Sequence, residues 1–217
     1  MAHFLYGRVC LVTSASSQVG RIVATTLQEL GASVLCHNDT SLPTSDNEEK
    51  ENQFFVDLGT REGVTELVAQ IEKRTDRLDL VAHCSGHEST SKTSTPLTTC
   101  PIKSLEDIMR VKFRATLQLY QGLHPLLLRS PSPLFLFPLS PQTQHLLGEE
   151  REKGELSEPV LAVSGFAMEG LRRALEVSYG GEGGISFASF EADSSANTEQ
   201  ITSSLHEVLK VPLPNIE

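Results

Sequence analysis

The segment "VTSASSQVGRIVATTLQELGASVL", Val12 to Leu35, decides the fold because it carries three signals in order. A β-branched run ends at Thr13, a turn of serines follows, and an amphipathic helix takes over. Apolar residues fall at Val19, Ile22, Val23, Leu27 and Leu30, the spacing of a helix that buries one face. Gly31 stands where a helix ends in a left-handed cap. A second apolar run, Ser33–His37, then begins. Strand, turn, helix and strand in one short stretch predict a βαβ unit.

The alternation continues along the chain. Strands are predicted at Arg8–Thr13, Phe54–Leu58 ("FFVDL"), Leu78–Cys84 ("LDLVAHC"), Pro133–Leu139 ("PLFLFPL") and Gly184–Phe190 ("GISFASF"). Helices are predicted at Arg61–Thr75, Leu105–Leu128, from near Ser157 through Tyr179, and at Thr198–Lys210. Ser104 reads as an N-cap with Asp107 as its capping-box partner. The stretches Asn38–Gln53 and His87–Pro101 read as polar loops, and Gly148–Glu158 as an acidic connection. Buried strands alternating with helices predict an α/β fold: a doubly wound parallel sheet of about six strands in three αβα layers, one domain over residues 1–217. Ligands of such sheets bind beyond the carboxyl ends of the strands, here around Ser14–Gly20 and Ser85–His87.

Bulk properties exclude several classes. A net charge of −10 and the absence of Trp disfavour a nucleic-acid partner. No apolar run is long enough to span a membrane, and the N-terminus shows no secretion signal, so a cytoplasmic location is the default expectation. Cys10, Cys36, Cys84 and Cys100 form no C-x-x-C pair and read as buried free thiols. His83 and His87 flank Cys84, but neighbouring strand residues point to opposite faces, so no metal site is expected. The serines at residues 14, 16, 17 and 164 lack a G-x-S-x-G setting.

Four further segments, with Ser140 after the fifth strand, reinforce the first, and together they resemble the short-chain dehydrogenase/reductase family from Arg8 to about Leu209. Val12–Leu35 is similar to the family's T-G-x-x-x-G-x-G turn and first helix. "FFVDLGTREGVTELV" resembles its third strand, with Asp57 at the position that contacts the adenine end of the cofactor. "LVAHCSG" stands where the family has Asn-Asn-Ala-Gly and keeps only Gly86. "IMRVKFRATLQLYQGLHPLL" resembles the helix around the catalytic Asn, with Lys112 at that position. "FAMEGLRRALEVSY" resembles the helix after the Tyr-x-x-x-Lys pair, and Ser140 follows the fifth strand as the catalytic serine does.

The resemblance implies a Rossmann-like fold, NAD(P) as the cofactor if any is bound, and Thr13, Ser14, Ser16, Ser17, Gln18, Gly20, Asp57 and Gly86 as the residues beside it. At the chemical positions the chain departs from the pattern. Ser14 and Gln18 replace two turn glycines, while Gly20, the one that lets helix and strand pack closely, remains. Leu161 and Gly165 replace the Tyr and Lys, and neither can transfer a proton. Tyr6, Tyr120 and Tyr179, the only tyrosines, have no lysine four residues on. Lys112 either extends its charge to solvent or reaches the vacant lysine site. The tail "KVPLPNIE" is too short for the family's seventh strand, so the domain reads as abbreviated at its C-terminus.

The expectation is a degenerate family member without catalysis, a binding or scaffold subunit with residual nucleotide affinity. The alternative is a divergent NAD(P)-dependent oxidoreductase that reduces a carbonyl with Ser140 and Lys112. The family pairs through helices that correspond to 105–128 and 159–179, so a homo- or hetero-oligomer is expected through them.

Overall fold

Short β-branched and aromatic runs pair side by side in a computed structural model that describes residues 4–39, 52–84, 95–140, 143, 159–181, 184–192 and 197–209. The strands are β1 (Val9–Thr13), β2 (Ser33–Asn38), β3 (Gln53–Phe55), β4 (Leu80–His83), β5 (Leu134–Leu139) and β6 (Ser186–Glu191). They lie in the order β3-β2-β1-β4-β5-β6 and every ladder is parallel. The order reverses between β1 and β4, the crevice where a Rossmann-like sheet takes its ligand. The fold is the doubly wound α/β sheet the sequence predicts, with six strands among the described residues.

The helices are α1 (Gln18–Glu29), α2 (Arg61–Glu72), α3 (Ile102–Met109), α4 (Ala115–Leu127), α5 (Pro159–Tyr179) and α6 (Thr198–Leu209). Strand alternation divides the apolar residues between two cores. Leu11, Val81, Phe135 and Phe137 face α2, α4 and α5, where Leu67, Leu119, Leu123 and Met168 meet them. Cys10, Val12, Leu80, Ala82 and Leu136 face α1 and α6, against Val23, Leu27, Ile201 and Leu205. Each strand is thus buried on both sides, which is why these runs are almost wholly apolar.

Most boundaries shift by one to three residues from the sequence reading, and three have a local cause. β1 begins at Val9, whose N–H is taken by the Asp79 carboxylate at 2.8 Å. β3 ends at Phe55, after which the chain turns through Asp57, whose carbonyl accepts the Thr60 N–H at 3.1 Å. The helix expected from Leu105 starts earlier, at Ile102, with Pro101 as its cap. Ser104 therefore lies inside the first turn, its N–H donating to the Pro101 carbonyl, and forms no capping box. Pro101 fits there because a fixed φ near −60° leads the chain into the helix. Ser157 and the acidic 148–158 run lie outside the described residues.

Between α3 and α4 the chain makes a π-helical turn, Arg110–Arg114, the wide turn produced by one extra residue. It carries Lys112 inward, and the Thr116 hydroxyl donates to the Lys112 carbonyl. At the opposite end of the sheet, Asp79 joins β1, β4 and the β5 entry. It accepts from Arg8 Nη1 at 3.0 Å, Ser130 Oγ at 2.7 Å, the Val9 N–H at 2.8 Å and Arg77 Nε at 3.2 Å.

Candidate functional site

The turn after β1 carries Ser14 where the resemblance implies a glycine. Ser14 adopts φ +48°, a left-handed conformation that costs a residue with a Cβ about 1–2 kcal/mol. Three contacts hold it there. Its N–H donates to His37 Nδ1 at 3.2 Å, its Oγ to Asp39 Oδ2 at 3.3 Å, and the next amide, Ala15, donates to the His37 carbonyl at 2.8 Å. Ser17 caps α1, its Oγ accepting the Gly20 N–H at 3.0 Å. Gly20 is tightly packed: a Cβ there would lie 2.8 Å from the Ser14 carbonyl carbon and 3.0 Å from Ala15 Cα. The glycine kept is therefore the one on which the helix–turn packing depends.

Ser16 and Gln18 are exposed. The Gln18 side chain leaves the buried part of the turn, so the substitution of the second glycine does not fill the cradle from within. A helix N-terminus, a serine-lined turn and an outward Gln18 fit a dinucleotide's phosphates by backbone geometry and dipole.

Asp57 bends back on its own loop, Oδ1 accepting the Gly59 N–H at 2.7 Å. The Gly59 carbonyl takes hydrogen bonds from Arg110 at 3.3 Å and Arg114 at 2.6 Å, so the π turn anchors the loop on which Asp57 sits. Gly86 and His87 lie outside the described residues.

Beneath the crevice lies a buried polar chain that the sequence reading missed. Thr13 Oγ1 accepts the Cys84 N–H at 3.0 Å and hydrogen-bonds His83 Nδ1 at 3.0 Å. His83 Nε2 faces the Val111 carbonyl at 3.4 Å. A carbonyl only accepts, so the ring proton sits on Nε2 and Nδ1 takes the Thr13 hydroxyl proton. The ring is a clasp between β1, β4 and the π turn. Burial drives its pKa down to about 4, with the His37 ring and the Lys112 charge pushing the same way, so it is neutral at pH 7. Burial also raises the Cys84 thiol to about 12, which makes it inert. Among the described residues no group of three His, Cys, Asp or Glu is placed to hold a metal.

Of the two placements open to Lys112, solvent is not the one observed: it is 3% exposed, close enough to His83 for its charge to be felt there. The extra residue of the π turn rotates it off the solvent face. Ser140, at the serine position, is held within its own turn: its Oγ lies 2.9 Å from Thr143 Oγ1 and accepts the Thr143 N–H at 3.3 Å. Thr143, not singled out in the sequence, is fully buried against Gly165, and a Cβ at residue 165 would collide with its Oγ1 and Cγ2. Leu161 is buried one turn earlier, and Ser164 Oγ donates to its carbonyl at 2.8 Å.

The three tyrosines stand away from these groups. Tyr6 is exposed near the N-terminus. Tyr120 and Tyr179 pack on each other and on His124, ring centroids 5.4–5.7 Å apart. Burial, followed by the neighbouring Tyr179, raises the Tyr120 hydroxyl to about 12.

Comparison with known proteins agrees with this geometry. Residues 8–133 match the short chain dehydrogenase family. The chain is 32% identical over 190 residues to a protein of Escherichia coli K12 named uncharacterized oxidoreductase YciK, a match covering 81% of this chain and 69% of that protein. It is similar to the structure of a Pseudomonas syringae short chain dehydrogenase, with a TM-score of 0.71, 27% identity, and 88% and 78% of the two chains covered. An Escherichia coli CFT073 short chain dehydrogenase, solved with NADPH, aligns with a TM-score of 0.72 over 95% of this chain and 90% of that one, and its 24% identity speaks for the fold alone. Sheet order and these matches agree: the chain belongs to the short chain dehydrogenase family.

Proposed function

We propose that this chain is a short chain dehydrogenase-fold protein that keeps a dinucleotide-binding turn but has lost the family's proton relay, and that it works as a binding or scaffold subunit. The observation that carries the reading is the packing at Gly165. The space a lysine would need begins inside the Thr143 side chain, and Leu161, at the tyrosine position, is buried hydrocarbon. Neither residue can protonate a substrate oxygen. The exposed line Val163, Phe166, Gly170, Ala174 and Val177 on α5 is apolar at helical spacing, which supports pairing with a second copy or a partner of the same fold.

A bound dinucleotide would be held by the N-terminus of α1, the turn Ser14–Gly20 and Asp57, and would supply hydride. Asp39, one residue past β2, favours a free ribose hydroxyl and hence NADH over NADPH.

The second reading, an NAD(P)-dependent oxidoreductase acting on a carbonyl, has support of its own. The family is one of dehydrogenases, and the relative at 32% identity is called an oxidoreductase. Lys112, buried beneath the crevice, is a cation on the reaction side of the sheet.

Calorimetric titration with NADH and NADPH, followed by a carbonyl-reduction assay, separates the two. Binding without turnover is expected. Turnover that falls with Lys112→Met or Ser140→Ala overturns the non-catalytic reading, and no binding at millimolar nucleotide overturns both. Sedimentation of Phe166→Glu is expected to give a smaller species than the native chain, and an unchanged species removes α5 as the interface.

A further inference from the structure

We propose that His37 is the positioning residue of the nucleotide turn: its imidazole, protonated at Nε2, accepts the Ser14 N–H at Nδ1 and holds the left-handed conformation that the family builds with glycine. The inference rests on the reading of Ser14–Gly20 as a phosphate cradle and names what keeps that cradle formed.

The geometry is specific. His37 is fully buried, with both ring nitrogens engaged. Nε2 lies 3.0 Å from the Val56 carbonyl and Nδ1 3.2 Å from the Ser14 nitrogen. The Val56 carbonyl only accepts, so Nε2 carries the proton, and Nδ1 is left as the acceptor an N–H requires. The residue's own carbonyl takes the Ala15 N–H at 2.8 Å. One residue of β2 thus ties two successive turn amides to the segment after β3. A glycine would reach φ +48° at little cost, whereas a serine there needs such restraint.

The ring works only while neutral. A proton on Nδ1 would set two donors against each other. The charged or titratable groups facing it are Asp39 at the end of its own strand, Asp57 after β3 and His83 from β4, while the first turn of α1 brings no acid. Burial keeps the ring neutral, with the Val56 bond and the two aspartates opposing.

The test uses the full chain labelled with nitrogen-15. At neutral pH the His37 ring is expected as the Nε2–H tautomer, and an Nδ1–H tautomer overturns the proposal. Hydrogen exchange at the Ser14 amide is expected about tenfold faster in His37→Leu and near native in His37→Asn, whose Oδ1 reaches the same acceptor position. An unchanged rate in His37→Leu overturns it.

Should His37→Leu not fold, the ring tautomer and a second comparison decide. Ser14→Gly makes the restraint dispensable, so His37→Gln, which keeps a donor toward Val56 but offers no acceptor to Ser14, shifts the urea midpoint less in that background than in the native chain, and equal shifts overturn the proposal. These readouts need no nucleotide. Failure of the native chain to bind NADH or NADPH removes the cradle reading while leaving the restraint to be judged on exchange and tautomer. If the native chain binds, a His37→Leu affinity equal to native overturns the positioning role.

Discussion

Thr143 and Gly165 share one space. The Thr143 side chain occupies the volume that any side chain at residue 165 would need, and its hydroxyl is hydrogen-bonded to Ser140 at 2.9 Å. On the proposed reading this is where the family's lysine would stand, and Thr143 closes the space. Restoring the pair with Leu161→Tyr and Gly165→Lys should therefore destabilise the chain, by about 1–3 kcal/mol, as overpacking does. Adding Thr143→Gly should recover part of that loss. Urea midpoints of the double and triple variants check this, and a double variant as stable as the native chain would show that the space is free.

Gly20→Ala tests the turn with an informative sign. On an exposed helix the change would stabilise by about 1 kcal/mol. Here the new Cβ meets the Ser14 carbonyl and Ala15 Cα, both backbone. The expected outcome is a loss of about 2 kcal/mol, read by thermal denaturation, with weaker NADH binding.

Asp79 organises the lower end of the sheet. Burial alone would raise its carboxyl pKa, but the bonds from Ser130, the Val9 amide and Arg8, with the Arg77 charge, outweigh it and hold the group below its ordinary 3.8. A depressed carboxylate contributes stability that is present above pH 3.8 and lost as pH falls through the folded value. Asp79→Ala leaves Arg8 buried and uncompensated, and should cost about 3–5 kcal/mol at pH 7. Urea titrations from pH 7 to pH 3 should show the native chain's acid loss shrink in the variant.

His83 gives the opposite chemistry with the same sign. Its folded pKa of about 4 lies below the ordinary 6.5, so the unfolded chain takes up the proton first. Its contribution is intact above pH 6.5 and declines as pH falls toward 4, by about 3 kcal/mol in all. His83→Asn, which cannot titrate, should flatten that part of the stability–pH curve. A curve of unchanged slope would place the proton uptake elsewhere.

Much of this was legible in the chain. The run from Val12 to Leu35 announces strand, turn and helix because an i, i+3, i+4 pattern and a terminal glycine are local properties. Gly20 was readable as structural from its place in the turn. Ser104 was misread as a cap because a proline two residues before Lys103 supplies an equally good start, and local propensity does not rank the two. Lys112 could not be placed from the sequence, because counting at 3.6 residues per turn fails where a π turn inserts one more.

The sequence by itself determined the αβα alternation, the family, and the placing of Leu161 and Gly165, which have no transferable proton, on one helix, since each is a matter of residue identity in a fixed order. Tertiary structure decided what surrounds them. Thr143 fills the space beside Gly165 from a segment 22 positions earlier in the chain. His37 and His83 bind turn and strands across separations of 23 and 70 residues. Such contacts depend on where packing of the two cores places each side chain, and no periodicity along the chain encodes which side chain arrives in a vacated space.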